Sequence, residues 1–458
     1  MASAPNSINY SNQLPLGIEA KSQRRLFFPS TGDVYSGDGS SIIRISLNYD
    51  GMLDTSQSYL KFDFKNTTAG GGATDLICKD LGQPEISRLV VSSGGVVLED
   101  IQNYNQLVGS ILLPAQGNAG TVNEQQHNSN GIAGAIVKTA HEDSTTLGLT
   151  NIVYETAQAG NKSTGGVNNV SISTGKTVTV CYKLISGLLD NDKYLPLVLM
   201  NNGIDIELHL ETGTRACMSK DLTIPATYEI RNVRYVAHLV DLQRDFYDML
   251  RMTQQQSGGV IQIAGQTYRH FSNSMAKETK GEINFNVPVR ARSIKSVFFV
   301  GAPEVATTND YNLSSGSSMT LESYQIQIGA TKYPPTAINA KSTTNCCEPY
   351  FELMKSFGKL GSNIHDNLLS VNNYLRSEDF GRSQGDQPNF CPYGIDLETF
   401  RAEIENGIDT SSRALPMTLT LTTASDDDSS DANITVHTYA LIDSLFFVNM
   451  DGSVSVSA

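Results

Sequence analysis

The chain has 458 residues, a formal net charge of −14 and a sequence pI of about 5.0. At roughly 100–200 residues per domain it is too long for one ordinary core, so two or three units are expected. Its acidity argues against a large direct nucleic-acid footprint, which needs Lys and Arg to displace counterions, and no apolar run approaches the ~18–20 residues of a membrane-spanning helix.

Charged residues make up only 17%, Trp is absent, and Gly, Ser, Thr and Asn are abundant. That profile points to an all-β chain with many turns. Met1-Ala2-Ser3-Ala4-Pro5-Asn6 lacks the basic and apolar regions of a signal peptide, so synthesis in the cytoplasm is expected. Cys78, Cys181, Cys217, Cys346, Cys347 and Cys391 show no CxxC spacing and are expected as reduced thiols. The sequons at Asn66, Asn161, Asn169, Asn312 and Asn433 are accordingly expected to be unused.

Residues 1–40 are polar and turn-rich apart from Leu26-Phe27-Phe28-Pro29, which suggests an extended arm. Within it, Lys21-Ser22-Gln23-Arg24-Arg25 is the one basic cluster, expected as a solvated face rather than a phosphate contact. Strands are expected at Ile42–Asn48 and Ser58–Phe64. "ISRLVVSSGGVVLED" (Ile86–Asp100) reads as a hairpin whose Gly94-Gly95 supplies positive-φ turn positions. A short helix fits Tyr104–Leu113, and residues 116–175 form a Gly/Asn-rich excursion too long for an ordinary loop. Strands resume at Lys176–Leu184 and in "YLPLVLMNNGIDIELHLE", where Ile204, Ile206, Leu208 and Leu210 alternate with polar residues.

After a strand candidate at Tyr228–Val240, Leu242, Phe246, Met249 and Leu250 switch to helical spacing. Gln254-Gln255-Gln256-Ser257-Gly258-Gly259 ends this connector near the middle of the chain. Further strands are expected at Val260–Gln266, Glu282–Val289, Ser293–Val300, Leu321–Ile328, Pro416–Thr423 and Ile434–Val448. In "SYQIQIGATKYPPTAIN" the alternation stops at Gly329, and Pro334-Pro335, lacking N–H donors, are expected to hold an extended exit toward a helix at Cys347–Phe357. The division expected is an arm at 1–40, a first unit at 41–242, a connector at 243–259 and a second unit at 260–458. The two halves share a rhythm of short strands, one helix and one excursion, without a residue-level repeat.

Candidate chemistry is sparse. Gly175-Lys176-Thr177 has the end of a phosphate loop, but Val170 stands where the first glycine belongs and a strand follows instead of a helix. Asp426-Asp427-Asp428 with Asp431 lacks the glycine and downstream Glu of a calcium loop. The histidines at 127, 141, 209, 238, 270, 365 and 437 show no metal spacing, and His209 and His437 are expected on the polar faces of alternating strands. No GxSxG or Cys–His signature is present, and the many carboxylates single out no pair. No catalytic, cofactor-binding or metal-binding residue is therefore nominated, and a structural or binding role is expected.

Several stretches together resemble the double jelly-roll major capsid proteins of polinton-like viruses, virophages and related large DNA viruses. They are "YLPLVLMNNGIDIELHLE", "YEIRNVRYVAHLVDL" with the helix after it, "SYQIQIGATKYPPTAIN" with Tyr350-Phe351-Glu352-Leu353, "FGRSQGDQPNFCPYGIDLETF" and "YALIDSLFFVNMDGSVSVSA". The resemblance implies two tandem eight-stranded jelly-roll β-sandwiches with short helices and long loop insertions. It also implies no enzymatic activity, pseudo-hexameric homotrimers, and contacts between capsomers that tile an icosahedral shell in the virion. Penton and minor capsid proteins are the further partners implied, with room for an internal membrane beneath the shell. The alternative reading is a carbohydrate-binding or adhesin-like pair of β-sandwiches, with aromatics clustered in one set of loops.

Overall fold

The structure, a computed structural model, describes residues 19–69, 76–77, 85–112, 115, 136–140, 152–156, 171–172, 174–219, 224–276, 279–303, 319–341, 347–358, 360, 392–400, 405–412, 415–424 and 433–457. In the first half the strands run β1 (Ala20–Phe27), β2 (Val34–Tyr35), β3 (Ile42–Leu47), β4 (Met52–Asn66), β5 (Leu76–Ile77), β6 (Ile86–Ser93) and β7 (Val96–Gln102). A single turn, α1 (Tyr104–Gln106), runs into a π-helical stretch at Leu107–Leu112. Then follow β8 (Ile136–Ala140), β9 (Ile152–Thr156), β10 (Ser171–Ile172), β11 (Thr177–Tyr182), β12 (Ile204–Leu210), α2 (Gly213–Ala216), β13 (Met218–Ser219) and β14 (Tyr228–Leu242). The connector helix α3 spans Arg244–Gln256.

The second half comprises β15 (Val260–Met275), β16 (Gly281–Val287), β17 (Ile294–Pro303), β18 (Leu321–Ile328) and β19 (Thr331–Asn339). Helix α4 (Cys347–Ser356) precedes β20 (Tyr393–Asp396), β21 (Met417–Thr423), β22 (Ile434–Asn449) and β23 (Val454–Ser457).

The sheets of the first half run β1-β14-β4-β11 and β3-β12-β6-β7. Those of the second run β15-β22-β17-β20 and β16-β21-β18-β19. Numbering the eight principal strands of each half in chain order gives the same two sheets twice, 1-8-3-6 and 2-7-4-5. This is the jelly-roll arrangement: the last strand returns beside the first, and two four-stranded sheets close over one core. The duplication expected from rhythm is therefore present as topology. β2 pairs with β14 and β23 with β22, β10-β5-β13 and β8-β9 form small separate sheets, and among the described residues every strand pairing is antiparallel.

Alternation builds each core. Ile204, Ile206, Leu208 and Leu210 of β12 are buried while Asp205, Glu207 and His209 are partly exposed. Each such apolar side chain contributes about 1.5–3 kcal/mol relative to exposure. Met417, Leu419 and Leu421 of β21 do the same in the second roll. β17 is different: Ile294 through Val300 are buried on both faces, because Phe298 stacks on Phe357 just beyond α4, 4.5 Å between ring centres. Such a covered strand reads as a continuous apolar run.

Two expectations are corrected. Residues 20–27, read as part of an arm, form β1, paired along its whole length with β14 from Ala20↔Leu242 to Phe27↔Tyr235. Its side chains are mostly exposed, so backbone ladder bonds hold it where hydrophobic pattern does not. The stretch after Gly329, read as a strand exit, turns back as β19 and pairs with β18. Gly329 (φ +59) makes the reversal, and β19 lies at a sheet edge, where a proline breaks no ladder bond on the solvent side. The register jumps between Tyr324↔Ile338 and Ile326↔Tyr333, so Pro334 and Pro335 fall in the bulge. Gln325, buried opposite, donates from Nε2 to the carbonyls of Pro334 (2.6 Å) and Pro335 (3.3 Å). Gln325→Ala is expected to cost about 1–2 kcal/mol in a urea titration, because it strands those carbonyls.

Candidate functional site

No pair of catalytic groups organises the described residues; the most elaborate polar construction is the seam where the rolls meet. β7, an edge strand of the first roll, packs on β15, an edge strand of the second. Glu99 of β7 is 3% exposed. Its carboxylate accepts hydrogen bonds from the Ser186 hydroxyl and from the backbone N–H groups of Gly187 (2.8 Å) and Leu188 (3.1 Å). Burial raises the Glu99 pKa and these hydrogen bonds oppose the rise.

Glu99 thereby shapes a turn that meets the second roll backbone to backbone. A Cβ on Gly187 would lie 2.4 Å from the Gln266 carbonyl oxygen, and one on Gly265 would lie 2.4 Å from that of Gly187. No side chain fits at either position. Asn191 completes the turn, its Nδ2 donating to Gly187 O (3.0 Å) and, across the seam, to Ala264 O (2.7 Å).

A second contact lies at the end of β7. Asn103 adopts the left-handed conformation (φ +47), and its carbonyl accepts from Leu107 N (3.1 Å) and from the Tyr439 hydroxyl of β22 (2.9 Å). Its amide meets His270 Nδ1 at 3.3 Å, and His270 Nε2 meets His437 Nδ1 at 2.9 Å. Arg215 of α2 stands near enough to act electrostatically on His437 and pairs with Glu211 at 3.6 Å. Further along, Asn201 N donates to Gly452 O (3.0 Å), and Gln254 of α3 donates to Val448 O (2.9 Å).

Among the described residues, the second roll holds a buried ion cluster of its own. Lys295 Nζ lies 2.9 Å from Glu398 and 3.6 Å from Asp443, with the Lys and Asp side chains 5% and 4% exposed. Asp443 also accepts from Ser293 Oγ (2.6 Å) and Glu405 N (2.9 Å), tying the segment after β20 to β22.

The residues singled out by sequence are scattered. Arg25 lies over the rings of Phe27 and Tyr49 at 5.4 and 5.3 Å, and Lys21 and Arg24 are exposed on β1. Gly175 (φ +77) is a turn leading straight into β11, with no helix to receive phosphate. His209 pairs with Glu207 at 2.7 Å on the polar face of β12. His437 is corrected: it lies off the core face as expected, yet it is buried, because that face is covered by the first roll. Asn66 is buried, with its Nδ2 donating to Ile172 O. Cys181, Cys217 and Cys347 are unbridged. The acidic loop at Asp426–Asp431 and Cys78, Cys346 and Cys391 lie outside the described residues. Among the described residues no group of three or more His, Cys, Asp or Glu could hold a metal ion.

Sequence reasoning missed Glu99, Gly187, Asn103, Gly265 and His270. One signal was available: Gly265 interrupts the alternating strand "VIQIAGQTY", and an isolated strand glycine marks a close backbone approach.

Two jelly rolls in tandem, with matching strand order and a built seam, define the class as a double jelly roll. By sequence the chain matches no family model and no curated protein. By structure it is similar to the VP54 protein of PBCV-1, fitted into a reconstruction of the virophage Sputnik, with TM-score 0.57 and 12% identity over 98% of this chain and 99% of that one. It is also similar to the mavirus major capsid protein, with TM-score 0.54 and 8% identity over 100% and 95% of the two chains. The Faustovirus major capsid protein gives TM-score 0.53 and 9% identity over 96% and 92%. These likenesses run through both rolls and are likenesses of fold.

Proposed function

We propose that this chain is a non-enzymatic major capsid protein that self-assembles as a homotrimer and tiles an icosahedral viral shell. The observation that carries the reading is the repeat of one strand order in two rolls, joined by a close-packed seam. Three such chains present six similar rolls, which is the geometry of a pseudo-hexagonal capsomer. The fold-level likeness to the mavirus and Faustovirus capsid proteins over nearly their whole lengths supports it. Residues 20–242 would make the first roll, 243–259 the connector and 260–457 the second.

In this reading the chain resides in the virion, contacts copies of itself within and between capsomers, and meets penton and minor capsid proteins at the vertices and beneath the faces. The net charge of −14 suits a shell separated from the genome by such proteins or by a membrane. The exposed aromatics Phe28, Tyr194 and Phe400 lie in three different connecting segments and Phe351 on α4, so they are not drawn from one set of loops as a carbohydrate-binding reading expects.

Native mass measurement on the purified chain is the test. The expected species has three times the chain mass of 49.6 kDa and resists dilution. A monomer at micromolar concentration would overturn the reading.

A further inference from the structure

The histidine pair at the seam has a property that ordinary burial does not require. His270 of β15 and His437 of β22 are diagonal neighbours on one pair of strands, since His270 faces Tyr439 and His437 faces Ser272 in the ladder. Both point away from the second roll's core toward the first roll's Asn103. The Asn103 amide N–H group can only donate, and it lies 3.3 Å from His270 Nδ1 and 3.5 Å from Nε2; in the tautomer that accepts it at Nδ1, His270 Nε2–H donates to His437 Nδ1. In that tautomer each ring already uses its proton-accepting nitrogen as a hydrogen-bond acceptor. A proton on His437 Nδ1 would face the His270 Nε2–H, donor against donor. A proton on His270 Nδ1 would face the Asn103 amide hydrogens.

The surroundings offer no compensation. Val300 of β17 and Ser272 of β15 flank His437 in the ladder, Tyr439 packs against His270 at 4.9 Å between ring centres, and the first roll presents the uncharged Asn103. The charged group acting on His437 from α2 is Arg215, a further cation, with Glu211 engaged behind it by Arg215 and by Asn105 Nδ2 (3.0 Å). A cation formed here meets like charge and lost hydrogen bonds.

We infer that His270, His437 and Asn103 form a proton-operated latch between the two rolls, closed when both imidazoles are neutral and released when they take up protons. The closed seam needs no acid-sensing partner; the proton itself is the ligand. Burial lowers the pKa of His270 to about 4, and burial with His270 and Arg215 lowers that of His437 to about 3. In an opened seam both rings return toward about 6.5. Protons therefore bind the open form preferentially between those limits. The stabilisation is whole above about pH 6.5 and declines as pH falls toward 4. Opening thus begins well above the pH at which the closed rings themselves titrate. The latch lies within one chain, so it holds whether or not the trimer reading does.

Hydrogen exchange of the full chain between pH 7 and 4.5, corrected for intrinsic rates, tests this. Peptides covering 101–112 and 268–275 report the seam, and 417–423 in the second roll's core serves as control. Below pH 6 the seam's opening constant is expected to rise toward about 100-fold per pH unit, one factor of ten for each proton. His270→Gln or His437→Gln should reduce the slope toward about 10-fold, and the double variant should flatten it. Asn103→Ala should raise opening at every pH while keeping the slope. A wild-type slope no steeper than that of the control peptide would overturn the inference, whatever the variants do. So would an unchanged slope in a folded double variant.

Discussion

Gly265→Ala is expected to destabilise the protein by about 3 kcal/mol, although alanine is ordinarily the better strand residue by some 0.5–1 kcal/mol. The new Cβ would sit 2.4 Å from the Gly187 carbonyl oxygen and 3.0 Å from the Phe446 ring. The first of these neighbours is backbone, held by Glu99 and Asn191, so it cannot swing aside as a side-chain tip would. The strain is relieved only by separating β15 from the turn at 186–191, which opens the seam. Gly187→Ala should act in the same direction, since its Cβ meets Gln266 O at the same distance. The two changes share one contact, so their effects should not add. Gly39→Ala, which meets nothing within 4 Å, is the control and should stay within about 0.5 kcal/mol of wild type. Urea midpoints at unchanged m distinguish these outcomes; a neutral Gly265→Ala would refute the close approach.

Lys295→Met is expected to cost about 3–5 kcal/mol, the larger of the two effects. Methionine fills much of the volume, so the loss is electrostatic: Glu398 and Asp443 are left facing each other without their shared cation. Asp443 has further duties, because its Oδ2 holds Glu405 N and the Ser293 hydroxyl, which in turn accepts from Gly407 N (2.9 Å). Loosening should therefore appear first in residues 405–412. Adding Asp443→Asn to Lys295→Met should recover part of the loss, giving a coupling energy of opposite sign to the sum of the single changes. Strict additivity would mean that the ion pair contributes nothing specific. Solvent-accessible pairs such as Arg44–Glu207, with the Glu207 side chain half-buried, provide the contrast, being worth at most about 1 kcal/mol.

Legibility differed by element for physical reasons. β12, β18, β21 and the hairpin of β6 and β7 were readable because one face of each meets the core and the other is more polar, and because Gly94 and Gly95 take the positive φ values their turn requires. β1 was not readable, since "AKSQRRLF" buries only Phe27 and is held by main-chain bonds that leave no mark on side-chain pattern. β19 was misread because proline excludes a strand interior but is admitted at an edge, and a sequence does not say which strands are edges. The seam was missed for a related reason. His270 and His437 sit at positions that alternation assigns to the side away from the core, and alternation is silent about what covers that side.

The sequence by itself determined an acidic, turn-rich all-β chain divided near residue 250 by a helix, with strand content in both halves sufficient for two sandwiches. These properties follow from composition and short-range periodicity, which act within a few residues of chain. Only the tertiary structure decided that both halves share one strand order, that β1 and β19 complete their sheets, and that a glycine pair and a histidine pair close the rolls upon each other. Those facts depend on which groups meet across separations such as the 167 residues between Asn103 and His270. Contacts of that range arise from packing two closed sandwiches against each other, and apart from the isolated strand glycine Gly265 no local pattern marks them.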